Sequence, residues 1–276
     1  MTISNVSRRE MIGGLAAGVS AGSVISSDTF IGSARAQSAQ KTFVLVPGTF
    51  FGAWTWRRVS DRLEKQGHKV YPMSLTGVAD RSHLLSKDIN LDTHIADIAN
   101  LLEWEDLTDI CLVAHSYAGY PASGALERIG NRVSSIVWVD ASKPADGQRF
   151  FDELTEAAKE ITAVKDILKV EDGAISIPPP KKVPLTDAKD AAWVLSKVTP
   201  QPIGPWLQPV KLSGARERVA KKTYIRLPKF PFPGLDKAYA ECKADKSWTT
   251  LENTTSVHVV MVAEPEWLTG VLLQAA

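Results

Sequence analysis

From Thr42 onward the chain alternates short apolar, β-branched runs with longer amphipathic runs, and no other feature restricts its fold as strongly. Parallel strands cannot be joined by a tight turn and need a long crossover, so this rhythm predicts an α/β domain. The expected architecture is a mostly parallel sheet of about six strands flanked by helices. "TFVLVPG" (Thr42 to Gly48) reads as a buried strand closed by a Pro-Gly turn, and "GAWTWRRVSDRLEKQG" (Gly52 to Gly67) as an amphipathic helix stopped by glycine. "HKVYPMSL" (His68 to Leu75) is the next strand. In "LDTHIADIANLLEWED" (Leu91 to Asp106), Ile95, Ile98, Leu101 and Leu102 share one helical face. "TDICLVAHS" and "SSIVWVD" are two further strands, separated by a helix from about Tyr117 to Gly130. The alternation resumes with "KKTYIRLP" (strand), "GLDKAYAECKAD" (helix), "WTTLENTTSV" (strand) and "PEWLTGVLLQA" (closing helix).

Between about 145 and 220 the rhythm breaks. "ELTEAAKEITAVKDILK", the Pro-rich "ISIPPPKKVPL" and "DAAWVLSKVTPQPIGPW" carry helical patterns but no convincing strand. A structureless loop of that length is improbable in a compact domain, so the stretch reads as a helical cap inserted over the sheet edge.

The first 36 residues read as a targeting segment. Arg8 and Arg9 precede a short apolar stretch rich in Gly and Ala, and "ARAQ" offers a small-x-small cleavage site after Ala36, which resembles a bacterial twin-arginine export signal. The stretch is too short and too interrupted for a membrane span. The expectation is a domain over 37–276, delivered by the twin-arginine export machinery to the periplasm or secreted, with no stable membrane anchor after signal removal.

Thirty-two basic residues against 31 acidic ones give a net charge of +1, which leaves no excess to hold a nucleic-acid backbone. A small neutral ligand is the better expectation. Cys111 and Cys242 lie in unlike settings and provide neither a disulfide framework nor metal-ligand spacing, so no metal or cofactor is expected.

The chemistry concentrates at strand ends. In "CLVAHSYAGY" (Cys111 to Tyr120) a buried run stops at Ser116, where a strand gives way to a helix. This is the position of a nucleophile held at the carboxyl edge of a sheet. The usual Gly-x-Ser-x-Gly has alanines here, Ala114 and Ala118, each adding one methyl group. Gly48 and Thr49 follow the first strand, where the Thr49 N–H can join that of Tyr117 as an oxyanion hole. Of the five histidines, His68 and His94 read as structural and His83 as a loop residue. Strand alternation turns His115 away from Ser116. His258, after the last strand, falls where a Ser…acid…His order places the general base.

"FVLVPGTFFGAWTW", "VAHSYAG", "VWVDASKPADG" and "SVHVVMVAEPEWL" together resemble the α/β-hydrolase family that contains plant methylesterases, hydroxynitrile lyases and many bacterial esterases. The resemblance spans nearly all of the chain after the signal, most loosely in the cap. It implies an α/β-hydrolase fold, Ser116 as nucleophile, His258 as base, and the Thr49 and Tyr117 amides as oxyanion donors. The chain departs from the family in Pro47, where a histidine usually precedes Gly48. It departs again at Phe230, which falls at the usual position of the acid in a "KFPFPG" segment that has no carboxylate. Asp140, ending "SSIVWVD", is the acid this reading favours, as in some lactonases that resemble the family, including the fungal zearalenone type. Asp236 and Asp245 are the alternatives.

The resulting expectation is a serine esterase or lactonase acting through an acyl-enzyme on a small ester. Phe50, Phe51, Trp54, Tyr117, Trp193 and Trp206 are candidates for a hydrophobic or aromatic pocket under the cap. Two other readings stand beside it. One is hydroxynitrile lyase-type C–C cleavage, against which Val259 replaces the lysine those enzymes carry after the histidine. The other is a non-catalytic small-ligand receptor on the same fold.

Overall fold

The computed structural model describes residues 39–167 and 175–276; the export segment read over 1–36 lies outside them. Six strands form one parallel sheet: β1 (Thr42–Val46), β2 (Lys69–Pro72), β3 (Ile110–His115), β4 (Val133–Val139) and, after a long intervening region, two more. That intervening region contributes β5 (Ser176–Ile177) and β6 (Gln201–Pro202), a separate antiparallel pair. The sheet is completed by β7 (Lys221–Arg226) and β8 (Trp248–Glu252), giving the order β2-β1-β3-β4-β7-β8. β1 pairs with β2 on one side and β3 on the other. The connection therefore reverses direction at β1, and a crevice opens at the carboxyl ends of β1 and β3.

Central strands of a parallel sheet are covered on both faces and become apolar throughout. All six residues of β3 are buried. In β1 the period of two is explicit: Val44 and Val46 join the core on one face, Phe43 and Leu45 the core on the other. Helices α1 (Arg57–Lys65), α2 (Leu91–Trp104) and α3 (Gly119–Ile129) follow β1, β2 and β3. The first core takes Ile95, Ile98 and Leu102 of α2 with Ala122 and Leu126 of α3, and the second takes Val59 and Leu63 of α1. Asn90 caps α2 with a reciprocal bond to Thr93, which satisfies two of the amides a helix start leaves open.

Between β4 and β7 lie α4 (Phe150–Glu160), α5 (Thr162–Ile167), α6 (Ala188–Leu195), α7 (Gly204–Leu207) and α8 (Ala215–Arg218). The sequence reading saw no strand here. A two-residue pair such as β5 with β6 is too short to produce a readable period. The domain closes with α9 (Pro233–Ala244), α10 (Val260–Ala263) and α11 (Pro265–Ala275). Two strands end earlier than expected. β2 stops at Pro72, beyond which the Ser74 hydroxyl accepts from the Ala53 amide. β8 stops at Glu252, because the Asn253 side chain accepts from the Thr255 and Ser256 amides and turns the chain.

Candidate active site

Three strand ends and one loop build the site. Ser116 follows β3 with φ of 57°, and Asp140 follows β4 with φ of 46°. Both occupy the left-handed region that side chains enter at a cost of roughly 1 kcal/mol or more, and such residues gather where function requires them. Room for the serine turn comes from Gly119, where an added Cβ would lie 1.8 Å from the Ser142 carbonyl oxygen, and from Gly48, where one would lie 2.8 Å from Ser116 Cβ. Ala114 and Ala118 are accommodated without exposure. The glycines that the turn needs are therefore Gly48 and Gly119, and the two alanines are buried at the positions where glycine is usual.

His258 arrives from the loop after β8, whose return toward β3 starts at the Asn253 turn. The carbonyl of His258 accepts from His115 Nε2 at 2.9 Å. Its ring Nε2 lies 3.0 Å from Ser116 Oγ and its Nδ1 2.7 Å from Asp140 Oδ2. With Asp140 as an acceptor, Nδ1 carries the proton and Nε2 is free to accept from the serine hydroxyl. Asp140 is fully buried, and its second oxygen accepts from Arg226 Nη1 at 2.7 Å and the Leu227 amide at 3.0 Å. The other two aspartates lie elsewhere: Asp236 bonds to Arg226 Nε and Nη2, and Asp245 to the Ser247 amide.

His115 is not remote from the site. Its ring lies 4.6 Å from that of His258, and burial holds its pKa well below the usual histidine value, with proximity to His258 adding to the effect. A neutral His115 donates to the His258 carbonyl and so helps to fix that residue's backbone. Phe230, at the position where the family's acid is absent, stacks on the His258 ring at 4.1 Å and 22°. The aromatic ring cannot accept the Nδ1 proton, yet it covers the imidazole face. The sequence reading found neither this contact nor Arg226.

The candidate pocket aromatics fall into two groups. Phe50, Tyr117 and Trp206 pack together with Phe150, which the sequence reading did not single out: Tyr117 and Phe150 lie 5.1 Å apart and Phe150 and Trp206 5.2 Å. The Tyr117 hydroxyl donates to His94 Nδ1 at 3.0 Å, while His94 Nε2 donates to the Thr76 carbonyl. Phe51 instead meets His115 and Trp54, and Trp54 meets Trp193 edge to face at 5.2 Å. Thr49, half exposed, sits in the turn after Gly48, and Phe50 beside it has φ of 68°. Among the described residues no three His, Cys, Asp or Glu side chains gather as a metal site.

A six-stranded parallel sheet with a strained serine at a strand-to-helix turn defines an α/β hydrolase, and residues 43–269 match the Alpha/beta hydrolase family. The chain belongs to that family. It is 32% identical over 191 residues to the carbendazim hydrolyzing esterase of Nocardioides sp. (strain SG-4G), covering 66% of this chain and 78% of the esterase. It is 35% identical over 107 residues to methylesterase 7 of Arabidopsis thaliana, 38% of this chain and 41% of that one. It spans 58% of the length of the chloroplastic methylesterase 14 from the same plant. An extracellular α/β-hydrolase from a Paenibacillus species has the same fold, with a TM-score of 0.71 at 20% identity over 86% of this chain and 99% of that one.

Proposed function

We propose that this protein is a serine-dependent carboxylic ester hydrolase that opens a hydrophobic or aromatic ester, linear or cyclic, through an acyl-enzyme. The observation that carries this reading is the continuous relay from Ser116 Oγ through the His258 ring to Asp140 Oδ2, at 3.0 and 2.7 Å. The esterase relatives point to the same class of reaction. His258 Nε2 takes the hydroxyl proton as Ser116 Oγ attacks the ester carbonyl carbon, and the Thr49 and Tyr117 amides hold the oxyanion that forms. Collapse breaks the bond to the alcohol oxygen, which leaves with the proton from His258. Water then attacks the acyl-enzyme by the same route and releases the acid. Asp140 keeps the imidazole in the tautomer that can accept a proton and stabilises its cationic form.

The aromatic residues around Phe50, Tyr117 and Trp206 support an apolar acyl or alcohol group, because all three belong to one apolar cluster with Phe150 and ligand pockets are lined mainly by such side chains. Delivery to the periplasm or outside the cell, after cleavage following Ala36, belongs to the same reading. Amino-terminal sequencing of the exported protein should begin at Gln37.

A panel of aryl, alkyl and lactone esters assayed with the wild type and Ser116→Ala tests the reading. Hydrolysis should fall by about 10⁴-fold or more in the variant, and a fluorophosphonate should label the wild type at Ser116 alone. Equal turnover by the two proteins would remove the serine from the mechanism.

A further inference from the structure

The acid arm of the site contains a buried cation that ester cleavage does not itself require. Arg226, the last residue of β7, is 2% exposed, and every edge of its guanidinium is engaged. Nη1 donates to Asp140 Oδ1 at 2.7 Å and to the Leu227 carbonyl at 2.9 Å. Nη2 donates to the Phe230 carbonyl at 3.0 Å and to Asp236 Oδ1 at 2.7 Å, and Nε donates to the same Asp236 oxygen at 2.9 Å. Since Asp140 Oδ1 also accepts from the Leu227 amide, Oδ2 is the oxygen left facing His258. The same arginine thus holds the carboxylate plane and, through the Phe230 carbonyl, the loop whose ring lies on the imidazole.

We propose that Arg226 is a positioning residue of the reaction: it fixes Asp140 and Phe230 around His258, and its charge sets the pH at which the His258–Asp140 pair takes up a proton. This rests on the triad reading above. A buried carboxylate next to an imidazole holds a shared proton tightly, and a protonated pair cannot accept one from Ser116. A cation bonded to the far oxygen offsets the carboxylate charge and weakens that hold, so the base stays free at lower pH.

The other groups facing the pair are neutral or act through the arginine. From β3, His115 is kept uncharged by burial and by its proximity to His258. From β7, Tyr224 donates to the Ala141 carbonyl, and burial with the nearby Asp140 charge raises it well above the usual tyrosine value. From α9, Asp236, whose side chain is 62% exposed, bonds to the outer edge of Arg226. Burial acts to lower the Arg226 guanidinium, but Asp140 and Asp236 outweigh it and leave it above its ordinary value. The Arg226 guanidinium therefore keeps its charge beside Asp140.

The test is the pH profile of kcat/KM for the wild type, Arg226→Gln and Arg226→Lys on one ester, together with the NMR titration of the His258 ring in each. Arg226→Gln retains a donor but no charge. Its acid limb and ring titration should move up by about one pH unit, while kcat falls at least about tenfold and KM changes little, since Arg226 has no place against substrate. Arg226→Lys keeps the charge without the planar fork, so kcat should fall while the limb stays. An unmoved limb in Arg226→Gln, with equal losses in both variants, would reduce Arg226 to a structural residue. If Arg226→Gln does not fold, Arg226→Met, which keeps much of the side-chain volume without the charge, takes its place: a limb and ring titration moved up support the proposal, and an unmoved limb overturns it. The ring titration can also be followed in Ser116→Ala with and without Arg226→Gln, so a failure of the serine mechanism and a failure of the Arg226 proposal remain distinguishable.

Discussion

The turns after β3 and β4 lie side by side at one sheet edge, and both hold a side chain at positive φ, but they are built from different physics. The Ser116 turn is a matter of volume: Gly48 and Gly119 leave no space for a methyl group against Ser116 and Ser142, while Ala114 and Ala118 are fully buried beside it. The Asp140 turn is a matter of charge: a carboxylate with no exposure is held by a guanidinium, a backbone amide and an imidazole. Steric restrictions act in the same way at any pH. Buried charges act only while they are charged and paired, so the two halves of one relay should fail in different ways.

The sharpest separation comes from the acid. Asp140→Asn should lower kcat by about 10⁴-fold, because the amide no longer selects the productive imidazole tautomer. It should also lower stability by about 3–5 kcal/mol, because Arg226 is left buried beside a neutral group. Urea unfolding would measure the second effect and stopped-assay kinetics the first. Asp236→Asn and Asp245→Asn remove exposed carboxylates and should change kcat by less than about fivefold. A loss in either of them equal to that in Asp140→Asn would erase the distinction between the charged turn and its surroundings.

On the steric side, Gly119→Ala should cost at least about 1–3 kcal/mol, because the new methyl group meets backbone at 1.8 Å and not the end of a flexible side chain. Movement of the turn should take about 100-fold off kcat in the molecules that fold, by the same factor at every pH. Ala118→Gly, which restores the more usual residue, should alter stability by about 1 kcal/mol or less and should not raise kcat. A marked gain in activity from Ala118→Gly would mean that the alanines do strain the turn. A Gly119→Ala deficit that changed with pH would show charge acting there too.

The same contrast explains what was legible in the sequence. Ser116 and Gly48 announce themselves because an apolar strand run ends abruptly in small residues, and Asp140 because it ends the next run; local pattern carries that information. The role of Arg226 depends on a partner 86 positions away. Its trace in the sequence was a single arginine near the end of "KKTYIRLP", beside a segment where the family's carboxylate is missing, and those two oddities together could have suggested a relocated charge. Phe230 was read only as an acid that is absent, because stacking on His258 leaves no spacing signature. The aromatic residues were legible as a class but not as two groups: apolarity indicates burial, and only the packing of α6 and α7 decides whether Trp193 or Trp206 lies beside Tyr117.

The division between volume and charge is not complete, since the serine side has buried histidines of its own. His94, bonded to the hydroxyl of Tyr117 next to Ser116, has its pKa pushed down to about 4, chiefly by burial. Its unfolded value is about 6.5, so at intermediate pH the unfolded chain binds a proton that the folded one refuses. The stability His94 contributes is thus complete above about pH 6.5 and is lost as pH falls through that value toward 4. His115, lowered in the same direction, adds to this slope. Between pH 7 and 5.5 the His94 share amounts to about 1 kcal/mol. Urea midpoints at the two pH values should therefore converge in His94→Gln relative to the wild type, whatever its absolute stability. An identical pH slope in both proteins would mean that His94 takes up its proton as readily in the folded chain as in the unfolded one. In that case His115 would be the one buried histidine left to add a pH dependence beside the serine turn.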